Sequence, residues 1–285
     1  GGNDNRINDS QDSIIGAGES NLVSGSTGSS LIGGQANTII GNQSSLVGGK
    51  GNSISGNKSV LVGGLSNQVF GDEIVLVGGK TNTASGQFVT LFAGENNNVT
   101  GTASTVVAGR ENNISNSDDV SINAGTGNQI TSGTGVSISA GSGNKILNSR
   151  YVSIVAGTSN ELNSSLNSSI AGGMFNTGSS TNSVIGGGRD NILASSSNSS
   201  ISAGESNQMS QSTNSLIGVG DGNFMIQSTG SALIGGSGNT VRLSKSSVIG
   251  AGSGNLLQNT TSSVIVGGKS NNVTGVESSL VGGAS

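Results

Sequence analysis

The chain has no cysteine, histidine, tryptophan or proline, and only 2% of its 285 residues are aromatic. Without cysteine there is neither a disulfide framework nor a thiolate metal site. Without histidine as well, Ser-His and Cys-His nucleophilic schemes and imidazole metal sites are excluded. Charge is scarce too: 9% of residues are Asp, Glu, Lys or Arg, and the net charge is −4. The 11 Lys and Arg are scattered singly, so no basic stripe exists for nucleic acid or anionic lipid. No apolar run approaches the roughly 20 residues of a membrane span, and no signal peptide opens the chain. Missing proline suits backbone ladders that use every N–H.

What is abundant is glycine, 51 residues, together with Ser and Asn. That composition alone reads as low complexity, but a period overrules it. A glycine, two free positions and an asparagine recur every fifteen or sixteen residues, with asparagines at Asn21, Asn37, Asn52, Asn67, Asn82, Asn97, Asn112 and onward to Asn271. Such a repeat dictates a stacked architecture before local propensity is consulted. The reading is a single β-solenoid array over 1–285, about 18 turns. Both ends cut through a repeat, and neither carries the atypical capping repeat that solenoids need. The chain therefore reads as a piece truncated at both ends from a longer protein.

One repeat runs Ser44-Ser45-Leu46-Val47-Gly48-Gly49-Lys50-Gly51-Asn52-Ser53-Ile54-Ser55-Gly56-Asn57-Lys58. It predicts two short strands meeting at two corners. The Leu46 column (Ile15, Leu31, Leu61, Ile122, Ile217) and the Ile54 column (Val23, Val99, Ile146, Leu257) are aliphatic, and strand alternation turns them inward. The asparagines share that parity, so they are expected to stack into a structural ladder of side-chain amides. The Gly48 column holds only Gly or Ala apart from Val219, which predicts that the wall approaches something closely there. The Gly-x-x-Asn corner keeps one length and is often charged, as at Lys50, Lys80, Glu95 and Arg110, which marks a solvated vertex. The second corner absorbs the length variation. Gly41, Gly56, Gly71, Gly86 and Gly101 occupy its short form, where a left-handed backbone is expected. Ser10, Ser26, Ser117, Ser149, Ser165, Ser196 and Ser212 occupy the long form, which predicts a second ladder made of hydroxyls.

The outward columns differ between the strands. The second strand is mostly polar outside, with Arg6, Thr38, Gln68, Asn98, Gln129 and Lys145. The first strand carries Ile32, Val47, Val62, Val77, Phe92, Val107 and Val155 outside, and the neighbouring outward column adds Ile14, Val60, Val75, Val184 and Leu216. A strand apolar on both faces is normally buried on both, and a lone solenoid has one interior. Sister chains around an axis would supply the second.

The block Ser44-Ser45-Leu46-Val47-Gly48-Gly49-x-x-Asn52-x-Ile54-x-Gly56 resembles the head repeat of YadA-type trimeric autotransporter adhesins. It is also similar to segments of phage tail fibres. The resemblance implies a β-roll in each of three chains, and hence a homotrimeric rod that is a stiff head or spacer of a surface-exposed adhesin or tail fibre. Such a fibre would lie outside the cell, on a bacterial surface or a virion, and mediate attachment to a receptor not named by the sequence. No nucleic acid, membrane contact by this segment, cofactor, metal or catalytic residue is expected.

Other uses of the scaffold fit less well. The carboxylate pairs Asp72-Glu73 and Asp118-Asp119 sit on the variable corner, where adjacent acids face solvent. A calcium-binding glycine-rich repeat needs an aspartate in each short repeat, and here the fixed residue is a neutral asparagine. A monomeric binding module, for ice or carbohydrate, is the alternative; an ice binder would want regular threonine ranks, and the outward columns mix Thr with Gln, Asn, Lys and Glu. Two irregularities stand out. Met174 and Phe175 place apolar bulk on the polar vertex, in a repeat where Gly178 replaces the inward aliphatic, and Phe224 lies three turns on; these are candidate partner contacts. Ser121/Asn123, Ser137/Ser139 and Ser200/Ser202 interrupt the apolar outward columns, where water or an ion would fill an interchain gap.

Overall fold

The computed structural model describes residues 2–283; Gly1, Ala284 and Ser285, which the predicted array includes, lie outside the described residues. Every regular element among the described residues is a short β-strand, and none is a helix. The chain divides into two units, Gly1–Ser142 and Gly143–Ser285. Each is a parallel β-solenoid.

In the first unit a turn is a first strand such as Ser45–Val47 followed by a second such as Ser53–Ser55. Each stacks in parallel on the equivalent strand of the next turn, so that Leu46 lies beside Leu61 and Ile54 beside Val69. The same register recurs in the second unit, with Ile201 beside Ile217 and Met209 beside Met225. The two inward columns are fully buried: Leu31, Leu46, Leu61, Leu76 and Leu91 in one, Val23, Ile39, Ile54 and Val69 in the other, all at 0% exposure. Burying two aliphatics contributes roughly 3–6 kcal/mol per turn, and β-branched residues suit such pleated walls.

The asparagine ladder is present and does more than stack amides. The Asn97 N–H donates to Asn82 Oδ1 at 3.0 Å, and Asn97 Nδ2 donates to the same oxygen at 3.1 Å and to the Gly109 carbonyl at 2.9 Å. Each asparagine therefore ties the turn before it to the turn after it. Asn37, Asn52, Asn67, Asn82 and Asn112 are buried in the same way, and Asn160, Asn176, Asn191 and Asn207 repeat the pattern in the second unit. The glycine that opens each vertex lies against this ladder. A Cβ on Gly49 would overlap Asn52 Nδ2, and the backbone there has φ +83°, so both space and conformation require glycine.

The serine column forms a ladder, although its links run from hydroxyl to backbone. Ser196 Oγ donates to the Ala194 carbonyl at 2.9 Å and accepts the Ser212 N–H at 3.1 Å; Ser212 and Ser228 continue it. A third inward column forms a parallel ladder. Ser44 Oγ donates to the Gly56 carbonyl at 2.7 Å and accepts the Ser59 N–H at 3.2 Å, and Ser183, Ser199 and Ser215 do likewise. At Ile74, Val89, Val120, Val136 and Val152 the third column is buried and apolar instead.

The glycines of the short corner have a different cause from the one expected. Gly41, Gly56 and Gly101 have no left-handed backbone, although Gly71 and Gly86 have φ of 133° and 119°. Glycine is required because successive turns touch there: a Cβ on Gly41 would overlap the carbonyl of Gly56, and one on Gly56 the carbonyl of Gly71. Most other left-handed positions of these corners fall on side-chain-bearing residues, with Gly25, Gly28, Gly135 and Gly230 the glycine exceptions in long corners. Short corners have one such residue, Gln43, Lys58, Glu73, Phe88 or Ala103; long corners have two, as at Asn116 with Asp119, Ser195 with Asn198 and Gln211 with Asn214. The sixteenth residue of a long turn is thus one more left-handed step. Where one corner type meets the other the register shifts, between Thr100 and Gly101 and between Ser179 and Thr181.

Candidate interaction faces

The outward side of the first strands is an apolar stripe open to solvent. In the first unit Ile14, Ile32, Val47, Val62, Val75, Phe92 and Val107 are exposed, Ile14 at 57% and Val47 at 38%. In-register pairing lines up Ile32, Val47, Val62, Val77 and Phe92 as one row. In the second unit Val155, Val184, Leu216, Ile234, Val266 and Val281 are exposed on the equivalent strands or just beyond them. Contiguous exposed apolar surface of this kind makes the stripe a candidate interaction face.

The Gly48 column, beside that stripe, corrects an expectation. A Cβ built on Gly33, Gly48, Gly172 or Gly187 meets nothing within 4 Å, so the wall does not approach another part of its own unit there. Gly33, Gly48, Gly63 and Gly78 instead have φ of 66–71°, a left-handed backbone that glycine adopts without steric cost. The result is a low strip of backbone flanking the apolar row.

The second-strand face of the first unit is largely polar, with Asn98 hydrogen-bonding Asn113 and Ser115 hydrogen-bonding Thr131 between turns, although Ile40 and Phe70 stand exposed beside it. In the second unit it is less polar than the sequence reading had it. Ile192 and Phe224 are both 38% exposed, and Ile226 and Leu256 are half-buried on the same side. The alternation of Ile192, Gln208, Phe224, Thr240 and Leu256 down one register hid this group from a column count, because polar residues separate its members.

Met174 and Phe175 sit at the vertex, exposed at 41% and 48%. Met174 bridges to Thr158 and Arg189 on the neighbouring turns. Phe224 lies on the strand Phe224–Ile226, paired with Gln208 and Thr240, so these three candidate contacts do not form one cluster. Gly178 leaves a cavity of about 10 Å³ among Leu162, Ser180, Ile185 and Leu193. That is at the lower limit of about 10–15 Å³ needed for one water. Leu162 leans into the space that a Cβ on Gly178 would take.

The charged groups form surface pairs. Lys80 meets Glu95 at 3.4 Å, Lys58 meets Glu73 at 3.8 Å, and Arg189 meets Asp190 at 3.2 Å and Glu205 at 3.7 Å. Asp72 Oδ1 accepts the Asn57 N–H at 2.7 Å and Asn57 Nδ2 at 3.0 Å, a corner-closing role. Among the described residues no group of three or more Asp or Glu is placed to hold a metal ion, and no buried side-chain nitrogen or oxygen lacks a hydrogen-bond partner.

No family model and no curated protein matches the chain. Among solved structures it has a weak likeness to a candidate acetyltransferase from Desulfovibrio desulfuricans G20, 10% identical with a TM-score of 0.17. The match covers 81% of this chain and 65% of that one, so the chain spans less than two thirds of that protein's length. At this score the likeness carries no argument about fold or activity.

Proposed function

We propose that the chain is a structural segment of a surface-exposed fibre, assembled as a parallel homotrimer through its first-strand faces. In this reading it is a stiff head or spacer, carried by a bacterial adhesin or a phage tail fibre outside the cell, and its work is mechanical: it holds an attachment site away from its anchor. The observation that supports the reading is the exposed apolar row Ile32, Val47, Val62 and Phe92, because water-exposed aliphatics gain by burial and parallel copies around an axis present the same row to one another at every level. The open glycine strip beside the row adds to this support, since backbone without side chains lets a neighbouring chain approach closely.

The test is Val62→Asp with sedimentation velocity. The wild-type chain is expected to sediment as a trimer, and the variant, with three carboxylates brought together at one apolar level, as a folded monomer. A variant that stays trimeric would place the interface elsewhere. A wild-type monomer at micromolar concentration would move the reading to a monomeric binding module, for which thermal hysteresis separates ice from carbohydrate as the ligand.

A further inference from the structure

A stack of nearly identical turns has a difficulty when it associates with copies of itself. Sliding one chain by one turn, about 4.8 Å, replaces Val47 against Val47 by Val47 against Val62, and the apolar row loses almost nothing. Register must come from a level that differs from its neighbours. In the first unit every turn from Ile14 to Val107 presents a large apolar side chain on the outward face of its first strand, and then two turns present none. Their outward residues are Ser121 with Asn123 and Ser137 with Ser139, in register with each other and with Thr105 on the preceding turn. The inward residues of the same turns, Ile122 and Ile138, are fully buried, so the turns keep their core and change only the face they show outward. Asn123 is exposed and the three serines are half-exposed in the single chain.

We infer that this polar layer sets the axial register between copies of the chain, an inference that rests on the oligomer reading above. Three copies at one height bring Asn123 amides and serine hydroxyls together, where each can both donate and accept. A slip of one turn sets the Asn123 amide against Val107 of a neighbour and leaves it desolvated without a partner, which costs more than the lost apolar overlap. A single polar residue in an apolar seam fixes register in coiled coils by the same logic. The seven apolar levels supply the attraction, and the two polar levels supply the address.

The absence of cysteine makes the test direct. Glu19→Cys on one chain and Arg110→Cys on another place nitroxide labels in one vertex column, six turns apart, and mixed oligomers report their separation by pulsed electron resonance. The native face is expected to give one narrow Glu19-to-Arg110 distance, separate from the shorter distances between like labels in the same oligomer. With Ser121→Val, Asn123→Val, Ser137→Val and Ser139→Val together, the chain is expected to remain oligomeric while the distance splits into populations from slips of about 4.8 Å. Asn123→Val alone changes one exposed side chain, keeps the fold if the fourfold variant does not, and is expected to broaden the distribution. A distance as narrow in both variants as in the native chain overturns the inference and leaves the oligomer reading intact. A native chain that sediments as a monomer overturns both.

Discussion

Between Asn37 and Asn112 the second corner of each turn closes on glycine; between Asn191 and Asn271 it closes on serine or threonine. The two solutions satisfy the same need by opposite means. At Gly41 and Gly56 the backbone of one turn lies so near the next that no side chain fits between them, and at Gly71 and Gly86 the strands Gln68–Asp72 and Thr83–Gln87 run on through the glycine. At Ser196, Ser212 and Ser228 one more left-handed residue opens the corner, and the hydroxyl fills the opening by accepting the next turn's N–H. At glycine corners the corner residue itself serves by close backbone contact, with neighbouring side chains such as Ser44 bonding its carbonyl, whereas at serine corners the corner residue's own side chain makes the hydrogen bond. A fifteen-residue turn and a sixteen-residue turn are therefore the same object with a different spacer, which is why inward columns stay in register through both.

Four substitutions would break or sharpen this comparison. Leu61→Asp attacks what both corner types share, the inward aliphatic column; it buries an unpaired charge and is expected to cost more than about 4 kcal/mol, read as a collapse of the cooperative denaturant transition. Gly56→Ala strikes the contact corner. With the Gly71 carbonyl occupying the space of the new methyl, the loss is expected to be about 3 kcal/mol, visible as a lowered denaturant midpoint. Ser212→Ala is the matching lesion in a hydrogen-bonded corner: the Ser228 N–H loses its acceptor, for about 1–2 kcal/mol. If Ser212→Ala cost as much as Gly56→Ala, the distinction between contact and hydrogen-bonded corners would fail. Lys80→Ala touches only an exposed vertex pair with Glu95, and its effect is expected to stay within about 0.5 kcal/mol, below the scatter of repeated melts.

Much of this fold was legible in the residues. A strict period fixes which columns face inward, so Leu46, Ile54 and Asn52 could be placed by parity alone. The exposed row from Ile32 to Phe92 was legible for the same reason: alternation leaves those side chains nowhere to go but outward. The reading failed where the signal is a residue's absence. Glycine appears in the Gly48, Gly49 and Gly56 columns alike, yet the first faces open space, the second is pressed on the asparagine ladder and the third on the backbone of the next turn. The left-handed positions were hidden because Gln43, Lys58, Glu73 and Phe88 share no chemistry that marks them. The third inward column was missed because it mixes Ser44 and Ser59 with Ile74 and Val89, one small and hydrogen-bonded, the other large and apolar. Among the candidate contacts, Met174, Phe175 and Phe224 were individually visible as misplaced bulk, whereas Ile192 and Leu256 carried no mark in the sequence and join Phe224 only through strand pairing.

The sequence by itself determined the repeat unit, the inward columns and the apolar outward row, because each is a periodic property that survives without knowing how turns touch. Only the tertiary structure decided what the glycines are for, how the sixteenth residue is absorbed and which polar groups bind one turn to the next. Those depend on distances between residues fifteen or sixteen positions apart, and spacing along a chain says which residues will be neighbours without saying how close their backbones will come.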